Sequence, residues 1–146
     1  MTRINTLHPR YLADQHLLAE YRELPRVFDL ALRWMERTGG DTARLPGTYR
    51  MGKGHVQFFY DKLDWCVARQ RALIEECLRR GFDIAHTEVP EPHPDLCSGW
   101  NPTSDDTSIN LSRLCAKQAA RPLFYRMRGK PLARNYYLQL LMKGTR

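Results

Sequence analysis

Leu17, Tyr21, Leu24, Phe28, Ala31 and Met35 recur at alternating spacings of four and three, and no other feature of the chain limits its fold as strongly. The spacing is that of a single helix face, so this stretch must bury an apolar stripe against other elements. Pro25 lies within the run and has no N–H to donate to the carbonyl of Tyr21, which predicts a bend in this first helix. Gly39-Gly40 supplies its stop. A second helix is expected from about Phe59 to Arg80, with Phe59, Leu63, Cys66, Leu73 and Cys77 on one side and Gly81 at its end. A third should start near Asp105-Asp106 and carry Ile109, Leu111, Leu114 and Ala119 as far as Arg121-Pro122. Between the second and third lies VPEPHPDLCSGWNP, a loop with four prolines, and strand signals are scarce. The expected fold is therefore all-α: a single compact domain of about three main helices over residues 1–146, with long loops and a basic C-terminal tail.

A chain of 146 residues with 42% hydrophobic residues suits one globular domain. No apolar run approaches the roughly 18 residues of a membrane span, and MTRINTLHPR at the start lacks the apolar core of a signal peptide. A cytoplasmic location without membrane association is the expectation, with Cys66, Cys77, Cys97 and Cys115 as reduced thiols. None of these forms a C-x-x-C pair; a zinc site or a disulfide framework is the weaker alternative. The net charge is +7, but its distribution says more. Residues 81–112 hold six acids and no Lys or Arg, whereas residues 113–146 hold nine Lys or Arg and no acid. A field of that kind draws polyanions, nucleic acid above all; a merely soluble basic surface is the alternative.

At 100° per residue, with Tyr21 at the centre of the buried stripe, His16, Ala19, Glu23 and Arg26 fall on the opposite face, flanked by Gln15 and Arg22. Ala19 leaves room in the middle of this polar face. The repulsion between Arg22 and Arg26 costs a few tenths of a kcal/mol, which a bound phosphate would reverse. A carboxylate between two arginines stays ionised, so Glu23 suits a base or a stabiliser of a cation. A solvated face with incidental ion pairs is the competing reading. No Gly-x-Ser-x-Gly, HExxH or Walker loop is present, and GKGHV at 52–56 has the wrong spacing. One nucleophile remains: removal of Met1 would expose the α-amine of Thr2, whose reference pKa of about 7.7–8 leaves an appreciable neutral fraction at physiological pH.

Together, MTRIN at 1–5, LADQHLLAEYRELPRVF at 12–28, GHVQFFYDKL at 54–63, RALIEECLRRGFDI at 71–84 and AARP at 119–122 resemble, in order, the blocks of the pyrimidine-dimer DNA glycosylase family known from bacteriophage endonuclease V. The resemblance runs from residue 1 to about 130. It implies a DNA-repair enzyme in which the Thr2 amine attacks the anomeric carbon of the damaged nucleotide, expels the base and forms an imine with the opened sugar. It likewise implies that Glu23 stabilises the cationic sugar–imine and assists β-elimination at the abasic site. Arg3, His16, Arg22 and Arg26 match family positions that contact phosphates or the site, and Arg113 and Lys117 match basic positions. With Arg121 the last two form a stripe spaced four apart on the third helix. In the family the duplex is bent, and the base opposite the lesion swings into a protein cavity.

The expected DNA-binding set is thus Arg3, Gln15, His16, Arg22, Arg26, Arg113, Lys117, Arg121, Phe124 and Tyr125, acting on double-stranded damaged DNA as a monomer. No metal or organic cofactor is implied, because the amine and carboxylate suffice. The sequence departs from the family in LFYRMRGKP at 123–131, where Phe124 and Tyr125 keep two aromatics but Met127 and Arg128 replace others. Since stacking is worth roughly 1–3 kcal/mol per base, the same imine chemistry on another modified base, or mainly on abasic sites, is the alternative. A non-catalytic basic DNA-binding protein is the reading from another class. The chain continues past the phage enzyme's end through LARNYYLQLLMKGTR, where a short amphipathic helix packed on the core is expected ahead of a second DNA contact.

Overall fold

Pro25 does more than bend the first helix. In the computed structural model, which describes residues 3–144, the apolar stripe is shared by two helices, α1 (Asp14–Glu23) and α2 (Arg26–Thr38). The chain turns through Leu24 and Pro25, and the amide of Val27 closes the turn on the Leu24 carbonyl. The Tyr21 carbonyl that Pro25 leaves without a donor accepts instead from the buried side-chain amide of Gln70, at 3.1 Å. The break is thus built into the packing, because a second helix supplies the missing hydrogen bond.

Helix α3 (Leu63–Arg79) starts later than its apolar period implies, since Phe59 belongs to a separate 3-10 turn, Gln57–Phe59. Its end follows the sequence signal: Gly81 takes a φ of +80°, and the amides of Gly81 and Phe82 close back on the carbonyls of Leu78 and Cys77. Helix α4 (Ser104–Ala120) opens on a reciprocal cap. Thr103 Oγ1 accepts from the Asp106 amide, and the Asp106 carboxylate accepts from the Thr103 amide. Its buried face is more polar than expected. Leu111 and Leu114 are inside, but Ile109 and Ala119 are exposed, and Asn110 and Gln118 take the interior places.

The C-terminal region is folded too. A two-residue turn at Arg128-Gly129 joins β1 (Arg126–Met127) to β2 (Lys130–Pro131), and α5 (Tyr136–Lys143) follows. Both turn residues have positive φ, the geometry that suits a tight antiparallel hairpin. The Asp14 carboxylate anchors the turn by accepting from the amides of Arg128 and Gly129 and from the Arg80 guanidinium. The fold is therefore mainly helical with one small hairpin. Leu17, Tyr21, Leu24 and Phe28 meet Leu63, Cys66, Leu73 and Cys77 in one core, joined by Leu111, Leu114 and Tyr137. Among the described residues, no helix is long and apolar enough to cross a membrane.

Candidate active site

Residues 3–7, ahead of the short 3-10 turn Pro9–Tyr11, have no regular structure of their own, so their backbone must find partners elsewhere. The Ile4 amide donates to His55 Nε2 at 2.7 Å, and Tyr49 donates its hydroxyl to the Ile4 carbonyl at 2.9 Å. Asn110 Oδ1 accepts from the amides of both Thr6 and Leu7, and Arg69 donates to the Leu7 carbonyl. Four residues from one loop and two helices, all distant in sequence, thus hold one extended segment. His55 can accept from Ile4 only while neutral, with its proton on Nδ1 directed at the Arg50 carbonyl. Burial, aided by the charges of Arg3 and Arg113 and opposed by the bond to Arg50, pushes its pKa down to about 4.

This clamped segment and α1 enclose a small pocket of about 70 Å3, lined by Arg3, Asn5, His16, Ala19, Glu20, Glu23 and Arg113. His16, Ala19, Glu20 and Glu23 share a helix face, and the small Ala19 lies in its middle as the helical projection indicated. The pocket holds two carboxylates in unlike settings. Glu20 is fully buried, takes a two-pronged contact from Arg69 at 2.7 and 2.9 Å, and accepts from Asn5. Glu23 is part-exposed and pairs with the more exposed Arg26 at 2.9 Å. Glu20 is therefore committed to the scaffold, whereas Glu23 faces a space that a substrate can enter.

His16 stacks on Tyr125 with ring centroids 4.5 Å apart, and its Nδ1 lies 2.8 Å from the Tyr137 hydroxyl. Burial, then the charges of Arg113 and Lys117, push its pKa down to about 3, so the ring is neutral. Arg113, itself desolvated, also lines an adjoining groove of about 400 Å3 with Arg3, Met51, Gly52 and Lys117. Arg121 follows α4 with its guanidinium 3.6 Å above the ring of Phe124. Of the charge stripe expected on the third helix, Arg113 meets the polar face of α1 and Lys117 the adjoining groove, while Arg121 lines neither.

Not every expected site residue joins this cluster. Thr2 lies outside the described residues. Arg22 lines a different groove, of about 620 Å3, with Tyr21, Pro25, Gln70 and residues 85–90. Gln15 straps α1 to the C-terminal hairpin, donating to the Phe124 carbonyl and accepting from the Arg126 amide. Tyr125 is turned inward onto His16, and Phe124 is partly exposed. Burial raises the pKa values of the Cys66 and Cys77 thiols, which makes them poor nucleophiles.

Sequence reasoning missed Asn5, Glu20, His55, Arg69, Asn110 and Tyr137. A signal existed for Arg69, which together with Gln70 falls between Cys66 and Leu73 where the α3 stripe runs through the interior. A polar residue in an apolar stripe demands a buried partner. Glu20 carried a weaker signal, lying only 60° round the helix from Glu23. The match to a family model described as pyrimidine dimer DNA glycosylase covers residues 1–88, the segment that carries Arg3, His16, Glu20, Glu23 and Arg69.

Proposed function

Because this chain belongs to the pyrimidine dimer DNA glycosylase family, we propose that it cuts one glycosidic bond of a cyclobutane pyrimidine dimer in duplex DNA through an imine and then nicks the strand. The Thr2 amine attacks C1′ of the damaged nucleotide, and the glycosidic bond breaks with its electron pair leaving on the base. The nitrogen loses a proton, and its lone pair then opens the ring by breaking C1′–O4′, giving the protonated imine; O4′ and the released base nitrogen each take up a proton. A carboxylate then takes the C2′ proton, and those electrons expel the 3′ phosphate as the C3′–O bond breaks. No metal is needed to balance these steps.

The observation that carries this reading is the contrast between the two pocket carboxylates. Glu23 stands part-exposed beside Arg3, the neighbour of Thr2 in sequence, while Glu20 is held by Arg69. A fixed anion suits a reaction that develops positive charge at the sugar. Arg3, Arg113 and Lys117, in the adjoining groove, would hold backbone phosphates. The groove of about 620 Å3 on the Arg22 side of α1 is roomy enough for a nucleobase and would receive the one extruded opposite the lesion.

Borohydride should trap a covalent complex between the processed protein and dimer-containing or abasic duplex. An extra residue before Thr2 should abolish trapping while leaving binding intact. Glu23→Gln should bind abasic DNA and fail to cleave it; normal cleavage by that variant would remove Glu23 from the mechanism. Retention of Met1, read by mass spectrometry, together with tight binding and no trapping, would leave the non-catalytic reading.

A second substrate reading rests on the C-terminal hairpin. With Tyr125 committed to His16 and one face of the part-exposed Phe124 taken by Arg121, less aromatic surface is offered to stacked bases than the two residues would give if both were open. The same imine chemistry would then act chiefly on abasic sites or on another modified base. Turnover across a panel of lesion duplexes separates the two, and faster reaction on a non-dimer lesion would favour the second.

A further inference from the structure

Helix α5 lies beyond the residues that match the family, yet it reaches the pocket. Tyr137, fully buried, carries a hydroxyl with two neighbours: the Ala13 amide at 2.7 Å and His16 Nδ1 at 2.8 Å. The amide can only donate, so the hydroxyl oxygen accepts there, and its single proton is left for His16. Nδ1 of His16 is then the acceptor, and a neutral imidazole must carry its own proton on Nε2. That Nε2 is buried and has no hydrogen-bond partner among the described residues, on a side chain that lines the pocket with Arg3, Glu23 and Arg113. A buried donor left without an acceptor is costly and calls for an explanation in the bound state.

We infer that Tyr137 is a positioning residue that fixes His16 as the Nε2–H tautomer, so that a neutral imidazole donates a hydrogen bond to a sugar oxygen of the substrate. The inference rests on the proposed imine chemistry. Neutrality matters because the sugar becomes cationic as the base departs, and an imidazolium beside it would oppose that charge. Stacking against Tyr125 and the tilted ring of Tyr137, centroids 5.4 Å away, hold the imidazole plane. An element outside the family-matched segment thereby sets the chemistry of a residue inside it.

Long-range 1H–15N correlation spectra of the full-length protein with 15N-labelled histidine distinguish the two tautomers. His55 should appear with its proton on Nδ1 and His16 with its proton on Nε2, so each serves as the other's control. Tyr137→Phe keeps the ring and removes the hydroxyl; His16 should then lose its tautomer preference while His55 stays unchanged. The single-turnover trapping rate should fall about tenfold with little change in binding. His16→Gln, which places an N–H near Nε2, should retain more trapping than His16→Asn, which places one near Nδ1, and this pair leaves Tyr137 intact if Tyr137→Phe disturbs folding. Protonation of His16 on Nδ1 in the parent protein would overturn the inference, as would an unchanged tautomer or rate in Tyr137→Phe, or His16→Asn outperforming His16→Gln. Absence of trapping by the parent protein would instead overturn the proposed chemistry, while the spectra, taken without DNA, still decide the role of Tyr137.

Discussion

His55 ties a backbone amide near the pocket to the charge state of a single ring. Its Nε2 accepts from Ile4 and its Nδ1 donates to Arg50, so protonation places a second N–H against the Ile4 amide. The folded pKa of about 4 lies below the unfolded value of 6.5. Above 6.5 both states are neutral and the stabilisation is complete. As the pH falls from there towards 4, the unfolded chain binds a proton that the folded one refuses, and stability falls. The slope approaches about 1.4 kcal/mol per pH unit, so roughly 3 kcal/mol is lost across the window. His16, lowered to about 3, adds a parallel loss. Urea midpoints measured from pH 7.5 to 4.5 should therefore drop more steeply for the parent than for His55→Gln, whose amide can accept from Ile4 and donate to Arg50 without titrating. Equal slopes would show that His55 is not held neutral. Asn110 makes the complementary point without titration. It accepts from two amides and donates to Asn5 from a fully buried position, so Asn110→Ala leaves several polar groups unpaired and should cost about 2–4 kcal/mol in chemical denaturation.

At the scale of elements, the break between α1 and α2 is spanned by the Glu23–Arg26 pair, while Arg22 lines the groove on another side of α1. Gln70 sustains the break by donating to the carbonyl that Pro25 cannot serve. Gln70→Met, which keeps the volume, should cost about 1–3 kcal/mol in the parent because a buried carbonyl loses its donor. In a Pro25→Ala background residue 25 regains an N–H, the two helices can fuse, and the same substitution should cost close to nothing. An unchanged cost in both backgrounds would show that Gln70 does not substitute for the missing amide. The break also shows which parts of the fold the chain makes legible. The helical segments follow from apolar spacing and their glycine stops, and the amphipathic C-terminal helix follows from YYLQLLM. What periodicity cannot give is the partner of a polar group. Pro25 implied an orphaned carbonyl, but nothing local pointed to Gln70, forty-five residues later. The arginine neighbours of Glu23 mark it in the sequence, whereas the role of Glu20 depends on Arg69 and that of Tyr137 on His16, 121 residues away. The helical projection placed Arg22 beside Glu23; the structure turns it into another groove because the Pro25 turn and residues 85–90 form a surface that a helical wheel does not contain.

Over the whole molecule, the segment that matches the family does not complete the pocket alone. Residues beyond it supply Asn110 to the N-terminal clamp, Arg113 to the pocket wall, Lys117 to the adjoining groove and Tyr137 to His16. Charge is organised at the same scale. Helix α4 carries Asp105 and Asp106 in its first turn and Arg113 and Lys117 further along, with Arg121 just past its end, an arrangement that complements the helix dipole and brings Arg113 and Lys117 to the groove that holds Arg3. Net charge alone would make every cation equivalent for DNA binding; the structure makes them unequal. Arg79 is held by Glu75 and Glu76 at 2.7 Å each, so duplex binding gains little counterion release from it. Arg3, Arg113, Lys117 and Arg121, if each neutralises one phosphate, contribute about −3.6 to the slope of log K against log salt. Lys117→Ala and Arg79→Ala each remove one positive charge, yet only the first should make that slope shallower, by about 0.9. Fluorescence anisotropy with a short abasic duplex at several salt concentrations gives both slopes. Equal effects of the two substitutions would mean that DNA responds to the overall charge of the molecule, and the groove beside Arg3 and Arg113 would lose its claim to the phosphates.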